Sequence, residues 1–264
     1  MSKKSHNHRI FELDFLRGLA LVMMCLDHLA YDLYCLPYWF SDADTVWIYR
    51  LGDFGEAVAF SQWRLVLHYI FATLFLLMAG VGSALTRNHK RRVLQVGGAA
   101  LTITLVTVTL DLFFHMGATI LFGVLSAMTV GALLCWICSL FGEKWGKWIA
   151  LGGGVAIIAV GFVIKWYDAT HVFRISAHEI WSVIFGTLQY GSDWFPIFPC
   201  AGVLLVGYFL GKVLYKRRQS LIPCLRGKTD HFFCAIGRKP LWIYLLHQPV
   251  IMAALYGILW LLEG

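Results

Sequence analysis

The sequence predicts an all-α, polytopic transmembrane helical bundle with about seven membrane-crossing helices. Hydrophobic residues make up 59% of the 264 residues and charged residues only 14%, whereas a soluble domain carries about 25% charged residues. Apolar runs of the length that crosses a bilayer, about 20 residues, recur along the chain. The composition therefore excludes an ordinary soluble fold, and we expect one membrane domain over residues 1–264.

Seven apolar segments are the candidate membrane spans. A further segment, HEIWSVIFGTLQY at 178–190, is ambiguous, since it could lie in the membrane interface or dip into the bilayer. The seven spans are expected at residues 13–36, 65–85, 93–114, 119–141, 148–164, 199–214 and 241–262.

Lysine and arginine residues concentrate in alternate connecting segments. Of the 22 in the chain, 17 lie before the first span, after the second and fourth spans, or in and after the last turn of the sixth span. The positive-inside rule places this side and the N-terminus in the cytoplasm, and the C-terminus outside. Because the basic residues fall between apolar runs and not along one soluble face, we expect membrane lipid and no nucleic acid as a partner.

Two long segments, 37–64 and 165–198, are expected on the outer side, and both are rich in Trp and Tyr. Such residues commonly form an aromatic belt at the membrane interface. Aromatic faces also stack on sugars, so the same residues could form an acceptor-binding rim. The two interpretations are compatible, and the sequence leaves both open.

The first span holds an unusual number of ionisable residues, which cost a few kcal/mol each in a membrane and usually serve function or a specific partner. Asp14 and Arg17 are three residues apart, close enough to pair on a helix. Arg17 and His28 share one helix face, about 16 Å apart along the axis. Asp32 lies one turn beyond His28 and could accept the proton on one imidazole nitrogen, leaving the other as a base. The alternative is a neutral histidine bonded to a neighbouring helix.

Other polar residues in the first and last spans have weaker signals. Asp27 adjoins His28 but points about 100° away, which suggests a secondary role. His247 and Gln248 lie partway along the last apolar segment, where Pro249 is expected to produce a kink. An interhelical hydrogen bond explains them as well as a role in a site does.

The densest basic cluster is RNHKRR, which follows the second span. It is either a topology-determining loop or a site for phosphates, which guanidinium groups pair with well. No Walker-type glycine loop and no set of Cys and His ligands with zinc spacing occurs, so no metal is expected. The basic members of the cluster are Arg87, Lys90, Arg91 and Arg92.

The opening block RIFELDFLRGLALVMM, with His28 eleven residues after Arg17, resembles the first helix of two groups of transmembrane acyltransferases. One is the acyltransferase type 3 family; the other is the bacterial relatives of heparan-alpha-glucosaminide N-acetyltransferase. The last two of the further matching blocks look most like the second group. These blocks are, in order, LFLLMAGVGSAL, HKRRV, ILFGVL, SDWFPIFPCAGVLLVGYFLG and IGRKPLWIYLLHQPV.

The resemblance implies transfer of an acetyl or other short acyl group from cytoplasmic acyl-CoA. The acceptor would be a sugar hydroxyl or amine of a glycan or lipid-linked sugar on the far side of the membrane. We expect that membrane to be the cytoplasmic membrane of a bacterium. His28 would be the base or acyl carrier, with Arg17 as its partner in the signature, near Asp14 and Asp32. The four basic residues of RNHKRR would meet the phosphates and nucleotide of CoA.

This chain departs from the family pattern in ways that leave the identity of the catalytic histidine open. Ser126 stands where relatives often have a histidine, and no histidine occurs near Tyr38 and Trp39, where the lysosomal enzyme uses one. Asp193, in the SDWFPIF block, joins His247, Gln248 and Ser126 as a secondary candidate.

A second class of function competes with the enzymatic one. The chain could be a multi-span transporter or a non-catalytic membrane subunit, with the charged residues of the first span lining a path. No evident inverted repeat or pair of interrupted helices favours transport. The acceptor, the acyl chain length and the oligomeric state, a homodimer included, are not encoded in any motif.

Overall fold

The computed structural model describes residues 10–40, 46–114, 117–167, 170–171, 176–191, 193–222, 224 and 231–263, which are almost wholly helical. Two short strands, β1 (Thr170–His171) and β2 (Leu188–Gln189), pair in parallel. The helices are α1 (Phe11–Trp39), α2 (Val46–Ala59), α3 (Gln62–Leu85), α4 (His89–Phe114), α5 (Val124–Leu140), α6 (Gly142–Trp166), α7 (Ile180–Phe185), α8 (Ile197–Leu214), α9 (Phe232–Gly237) and α10 (Pro240–Glu263).

The prediction of a polytopic helical bundle is confirmed. Among the described residues, six helices are long and apolar enough to cross a membrane: α1, α3, α4, α6, α8 and α10. The fourth predicted span corresponds to α5, an apolar helix of 17 residues that starts at Val124 and not at residue 119. Its start is delayed because Asp111 accepts hydrogen bonds from the Gly117 N–H and the Thr119 hydroxyl, which holds that stretch outside a helix.

The described residues form two compact units. We call Arg9–Phe75 with Cys224–Gly264 the terminal unit, since it contains both ends of the described chain, and Leu76–Pro223 the middle unit. The terminal unit contains α1, α2, the first part of α3, α9 and α10. The single-domain expectation for the whole chain stays a prediction.

Helices in the middle unit approach each other through small residues. Gly207 of α8 lies so close to the Leu77 carbonyl of α3 that a Cβ atom would overlap it, and Gly80 has the same relation to Leu204. In a bilayer the hydrophobic effect does not drive helices together, so close backbone packing of this kind supplies the attraction between them. At the end of α8, Lys212 donates to Glu143 at 2.8 Å.

Backbone contact of the same kind joins α1 to α9 in the terminal unit. Gly18 packs on the Phe233 carbonyl, and Gly237 packs on the Asp14 carbonyl, with no room for a Cβ atom at either glycine. Because position 233 meets 18 and position 237 meets 14, α9 runs antiparallel to the first turns of α1.

Helix α2 lies within the segment 37–64, for which the sequence predicted only a long outer connection. It folds back along the end of α1, with Ile48 buried at 0% exposure beside Leu36 and with Gly52 against Pro37. Its buried positions, spaced by three or four residues as on one helix face, are Ile48, Gly52, Gly55 and Ala59. Because α2 folds back, the start of α3 lies beside α1 at a point about 18 Å along the axis from the C-terminal end of α1.

Helices α1 and α10 run in the same direction, because residue numbers rise together along their contacts. Among the described residues, the six long helices and the shorter apolar α5 together account for the seven apolar segments of the sequence. The contacts pair His28 with His247, Asp32 with Gln248, and Phe40 with Tyr256.

The ambiguous segment 178–190 does not cross a membrane. It contains the end of a 3₁₀ turn (Ala177–Glu179), the six-residue α7 and β2, each far shorter than a span. Side-chain and backbone hydrogen bonds from Ser176 hold the pKa of the Glu179 carboxyl below its usual value. Gly186, with a φ of 98° that favours glycine, ends α7.

Candidate functional site

Two histidines meet in the terminal unit. The rings of His28 on α1 and His247 on α10 have centroids 4.9 Å apart and planes at 89°. Asp32 and Gln248, one turn further along α1 and one residue further along α10, lie beside them. We call these four residues the histidine-pair site.

Each imidazole is oriented by a carbonyl of its own helix. Nδ1 of His28 lies 3.0 Å from the Met24 carbonyl oxygen, and Nδ1 of His247 lies 2.6 Å from that of Tyr244. A carbonyl oxygen can only accept, so Nδ1 carries the hydrogen in both rings and Nε2 is the basic nitrogen. Two imidazolium ions this close would repel, so at least one ring is neutral.

The prediction that Asp32 accepts a hydrogen bond from His28 is wrong. Helical side chains tilt towards the N-terminus, so the His28 ring meets the carbonyl of the preceding turn and not the carboxylate of the following one. Asp32, only 3% exposed, instead accepts from Nε2 of Gln248 at 2.9 Å to each carboxylate oxygen.

The histidine-pair site presents hydrogen-bond acceptors. Nε2 of His247 and Oε1 of Gln248 are buried and have no hydrogen-bond partner among the described residues. Each buried acceptor left in this state costs about 1–3 kcal/mol. A group bearing N–H or O–H hydrogens would satisfy both, whereas an anion would not.

Arg17 lies at the other end of α1 from the histidines. Its Nη1 is 3.7 Å from Oδ1 of Asp14, which confirms the predicted pairing of these two residues. The eleven residues that separate Arg17 from His28 correspond to about 16 Å of helix rise. Arg17 and Asp14 therefore belong to the region where α9 packs, and not to the histidine-pair site.

A third polar cluster of the terminal unit was not predicted. Asp27 is 2.5 Å from Nε of Arg64, accepts from Nη2 of the same guanidinium at 2.8 Å, and lies 2.9 Å from Nδ1 of His68. Arg64 was assigned to the outer segment, and His68 was not singled out. Their spacing of four residues at the start of the second span was the available signal.

The four basic residues of RNHKRR differ in their surroundings within the middle unit. Arg87, Lys90 and Arg91 are exposed, whereas Arg92 is partly buried and donates from Nη2 to the Ala79 carbonyl at 2.9 Å. The side chain of Asn88 accepts from the Arg91 N–H at 2.9 Å at the start of α4. Three exposed cations thus surround a helix N-terminus, and Arg92 ties α4 to α3.

The remaining two candidates lie near the start of α5. Ser126 is partly buried in the first turn of that helix. The Asp193 carboxylate lies against Gly123, the residue before α5, where the partial positive charge of a helix N-terminus favours an anion. Among the described residues, no group of three His, Cys, Asp or Glu side chains could hold a metal ion.

Comparison with protein families matches most of the chain to a family model. A model described as "Heparan-alpha-glucosaminide N-acetyltransferase, catalytic" matches residues 9–249. This range includes all four residues of the histidine-pair site, the Asp27 cluster and RNHKRR. Comparison with curated proteins and with solved structures gives no match.

Proposed function

We propose that this chain, which belongs to the heparan-alpha-glucosaminide N-acetyltransferase catalytic family, uses the histidine-pair site to pass an acyl group to a sugar. The family makes the chain a transmembrane acetyltransferase. Our proposal adds the donor, acetyl-CoA or another short acyl-CoA, and the acceptor, a hydroxyl or amine of a glycan or lipid-linked sugar. The observation that carries it is the set of acceptor atoms around His28 and His247, which suits a nucleophile bearing hydrogens.

His28 is the proposed base. Nε2 of His28 removes the acceptor hydrogen while the acceptor atom attacks the thioester carbonyl, and the C–S bond breaks to release the CoA thiolate. General base catalysis of this kind contributes about 10²- to 10⁴-fold. A covalent acyl-histidine intermediate is the alternative. Oε1 of Gln248, whose amide is held by Asp32, would accept a further hydrogen of the acceptor.

The donor is proposed to bind through Arg87, Lys90 and Arg91. Their exposure at the start of α4 supports this role, because guanidinium and ammonium groups and a helix N-terminus all favour phosphate. Arg92 would act indirectly, by holding α4 to α3. We assign the basic connecting segments, RNHKRR included, to the cytoplasmic side of a bacterial membrane. If α5 is counted as a seventh crossing, the C-terminus then lies outside.

Transport is the competing function. A permeation path lined by α1 would require its charged groups to face one continuous channel. Instead, the three aspartates of α1 pair with separate partners: Asp14 with Arg17, Asp27 with Arg64 and His68, and Asp32 with Gln248. This separation favours local sites over a continuous path.

The test compares two histidine variants of the purified protein in lipid nanodiscs. In His28→Asn, the amide nitrogen stands where Nδ1 was and keeps the Met24 hydrogen bond, but no base remains. We expect thiol release from acetyl-CoA with glucosamine or a methyl glucoside as acceptor to fall about 100-fold or more. The control, His178→Asn in the outer segment, should retain activity.

Full turnover by His28→Asn would remove His28 from the mechanism. If the wild-type protein releases no thiol with any sugar but carries a solute across proteoliposomes, the transporter function is correct. Donor binding is measured separately, by the change in thermal midpoint with CoA.

A further inference from the structure

Lysine and tryptophan side chains gather in the middle unit where α6 begins and α8 ends. We propose that they form a binding site for an anionic phospholipid, whose phosphate lies among the lysines and whose acyl chains lie against the tryptophans. The inference goes beyond the function proposed above and does not depend on acyl transfer. We call the group the lysine–tryptophan patch, and its members are Lys144, Trp145, Lys147, Trp148, Lys212 and Lys216.

Close packing of α6 against α8 brings the members of the patch together. The Trp148 ring lies 5.3 Å from the Phe209 ring, and Nζ of Lys212 donates to Oε1 of Glu143 at 2.8 Å. Residue numbers fall along α6 as they rise along α8, so the two helices are antiparallel. The first turns of α6 therefore lie beside the last turns of α8, and both helices contribute to the patch.

The patch carries more positive charge than its own carboxylate balances. Glu143 interacts electrostatically with three lysines, of which Lys212 is the one that reaches it in a salt bridge. The other two are Lys147 and Lys216. Three ammonium groups facing one carboxylate leave an excess of two positive charges. A phosphate, which offers several oxygens to lysine ammonium groups, is the complementary ligand.

Glu143 is a competitor for Lys212 that a phosphate can displace. Its side chain is 84% exposed, whereas that of Lys212 is only 20% exposed. Nζ of Lys212 also lies 5.7 Å from the centroid of the Tyr208 ring, which holds the ammonium group in place. An ion pair with an exposed partner contributes little, so Glu143 can turn towards water at small cost. Removing its charge should therefore strengthen the site.

The surface around the lysines is apolar, which favours a lipid over a soluble phosphate compound. Trp145 and Trp148 are 63% and 54% exposed, and Phe141 before α6 and Val213 of α8 are exposed as well. Tryptophan concentrates at the depth of the lipid headgroups. A soluble phosphate compound gains nothing from such a border, whereas a phospholipid covers it with its acyl chains.

The lysines of α6 lie at the same depth as the tryptophans. Nζ of Lys144 is 5.7 Å from the centroid of the Trp145 ring, and Nζ of Lys147 is 5.7 Å from that of Trp148. Cation–π contacts of this kind hold the ammonium groups beside the indoles. The positive-inside rule assigns this end of α6 to the cytoplasmic side, where anionic lipids give a membrane its negative surface potential.

The first experiment measures lipid binding to the purified full chain in detergent. Dioleoyl phosphatidylglycerol and dioleoyl phosphatidylcholine are titrated separately, and bound lipid is counted by native mass spectrometry. We expect the double variant Lys144→Gln with Lys147→Gln to bind phosphatidylglycerol about 10- to 30-fold more weakly and phosphatidylcholine as the wild type does. The matched control, Arg238→Gln with Lys239→Gln, removes two exposed cations elsewhere and should leave both affinities unchanged.

The second experiment tests the competition by Glu143. Because Glu143→Gln removes the carboxylate that holds Lys212, we expect phosphatidylglycerol to bind about fivefold more tightly to this variant. Glu56→Gln, at an exposed carboxylate of α2, is the control and should have no effect. Unchanged or weaker binding in Glu143→Gln would overturn the placement of the phosphate beside Lys212.

Two other results would overturn the site. Equal losses in the two double variants would mean that the lipid is attracted only by overall charge. Displacement of phosphatidylglycerol by inorganic phosphate or by coenzyme A at equal concentration would show that the lysines bind a soluble phosphate. If the first double variant unfolds in detergent, Lys147→Gln alone replaces it, compared with Lys239→Gln. None of these measurements uses acyl transfer, so failure of the proposed function is seen separately, as absence of thiol release.

Discussion

Replacing Gln248 by leucine removes both hydrogen bonds that Asp32 receives in the terminal unit. Hydrogen bonds to a charged group are worth about 1.5–3 kcal/mol, whereas interhelical bonds in membrane proteins average about 0.6 kcal/mol. Asp32 is only 3% exposed, so water does not replace the lost amide. We therefore expect a loss of about 2 kcal/mol, near the upper end of the membrane range.

Thermal unfolding in detergent, followed by fluorescence of the 11 tryptophans, measures this loss. About 2 kcal/mol corresponds to a midpoint lower by roughly 4–8 °C for a chain of this size. The matched control is Gln62→Leu, at an exposed glutamine. The double variant Asp32→Leu with Gln248→Leu should regain much of the loss, because it leaves no buried carboxylate unsatisfied. Equal shifts in Gln248→Leu and Gln62→Leu would refute the reasoning.

Three further predictions concern other parts of the chain. Gly237→Ala should lower the thermal midpoint by the equivalent of about 1–3 kcal/mol, since the new methyl overlaps the Asp14 carbonyl, whereas Gly98→Ala, in open space, should not. Arg92→Ala should lower stability by about 1 kcal/mol through loss of its carbonyl hydrogen bond, whereas Arg91→Ala should weaken CoA binding in a calorimetric titration and leave the midpoint unchanged. The pKa of Glu179 is lowered in the folded state, so its carboxylate contributes to local stability above about pH 4.3, and this contribution is lost as the pH falls further. Amide hydrogen exchange in the 3₁₀ turn, compared between wild type and Glu179→Gln, measures this contribution.

Each of these has a contrary result. Equal midpoints for the two alanine variants would mean that α9 can move away from α1. If CoA affinity falls in Arg92→Ala but not in Arg91→Ala, then Arg92 and not Arg91 binds CoA. Amide exchange that is the same in Glu179→Gln and wild type at neutral pH would remove the capping interaction.

The spans were predictable because hydropathy and length are local properties of the chain. The six long helices and α5 fall on the seven apolar segments, with shifted ends where a side chain holds the backbone, as Asp111 does before α5. Helix α2 was missed because fourteen residues are too few for a span and its buried face is largely glycine and alanine.

The partners of individual polar residues were harder to predict. The pairing of Asp14 with Arg17 follows from spacing on one helix. The partners of Asp27 depend on how far α2 folds back along α1, and this distance cannot be predicted from a local sequence pattern. Asp32 was assigned to His28 on spacing alone, and the assignment failed because spacing does not include the direction in which helical side chains tilt.

The carbonyl bonds of His28 and His247 have a consequence for how the protein matures. Each imidazole takes its proton arrangement from the backbone of the helix that carries it, so this choice is made as soon as that helix forms. Insertion of α10 then has only to bring a second, already prepared ring against the first. A peptide covering α1 alone, placed in micelles, should therefore already hold His28 in the tautomer that the complete protein uses.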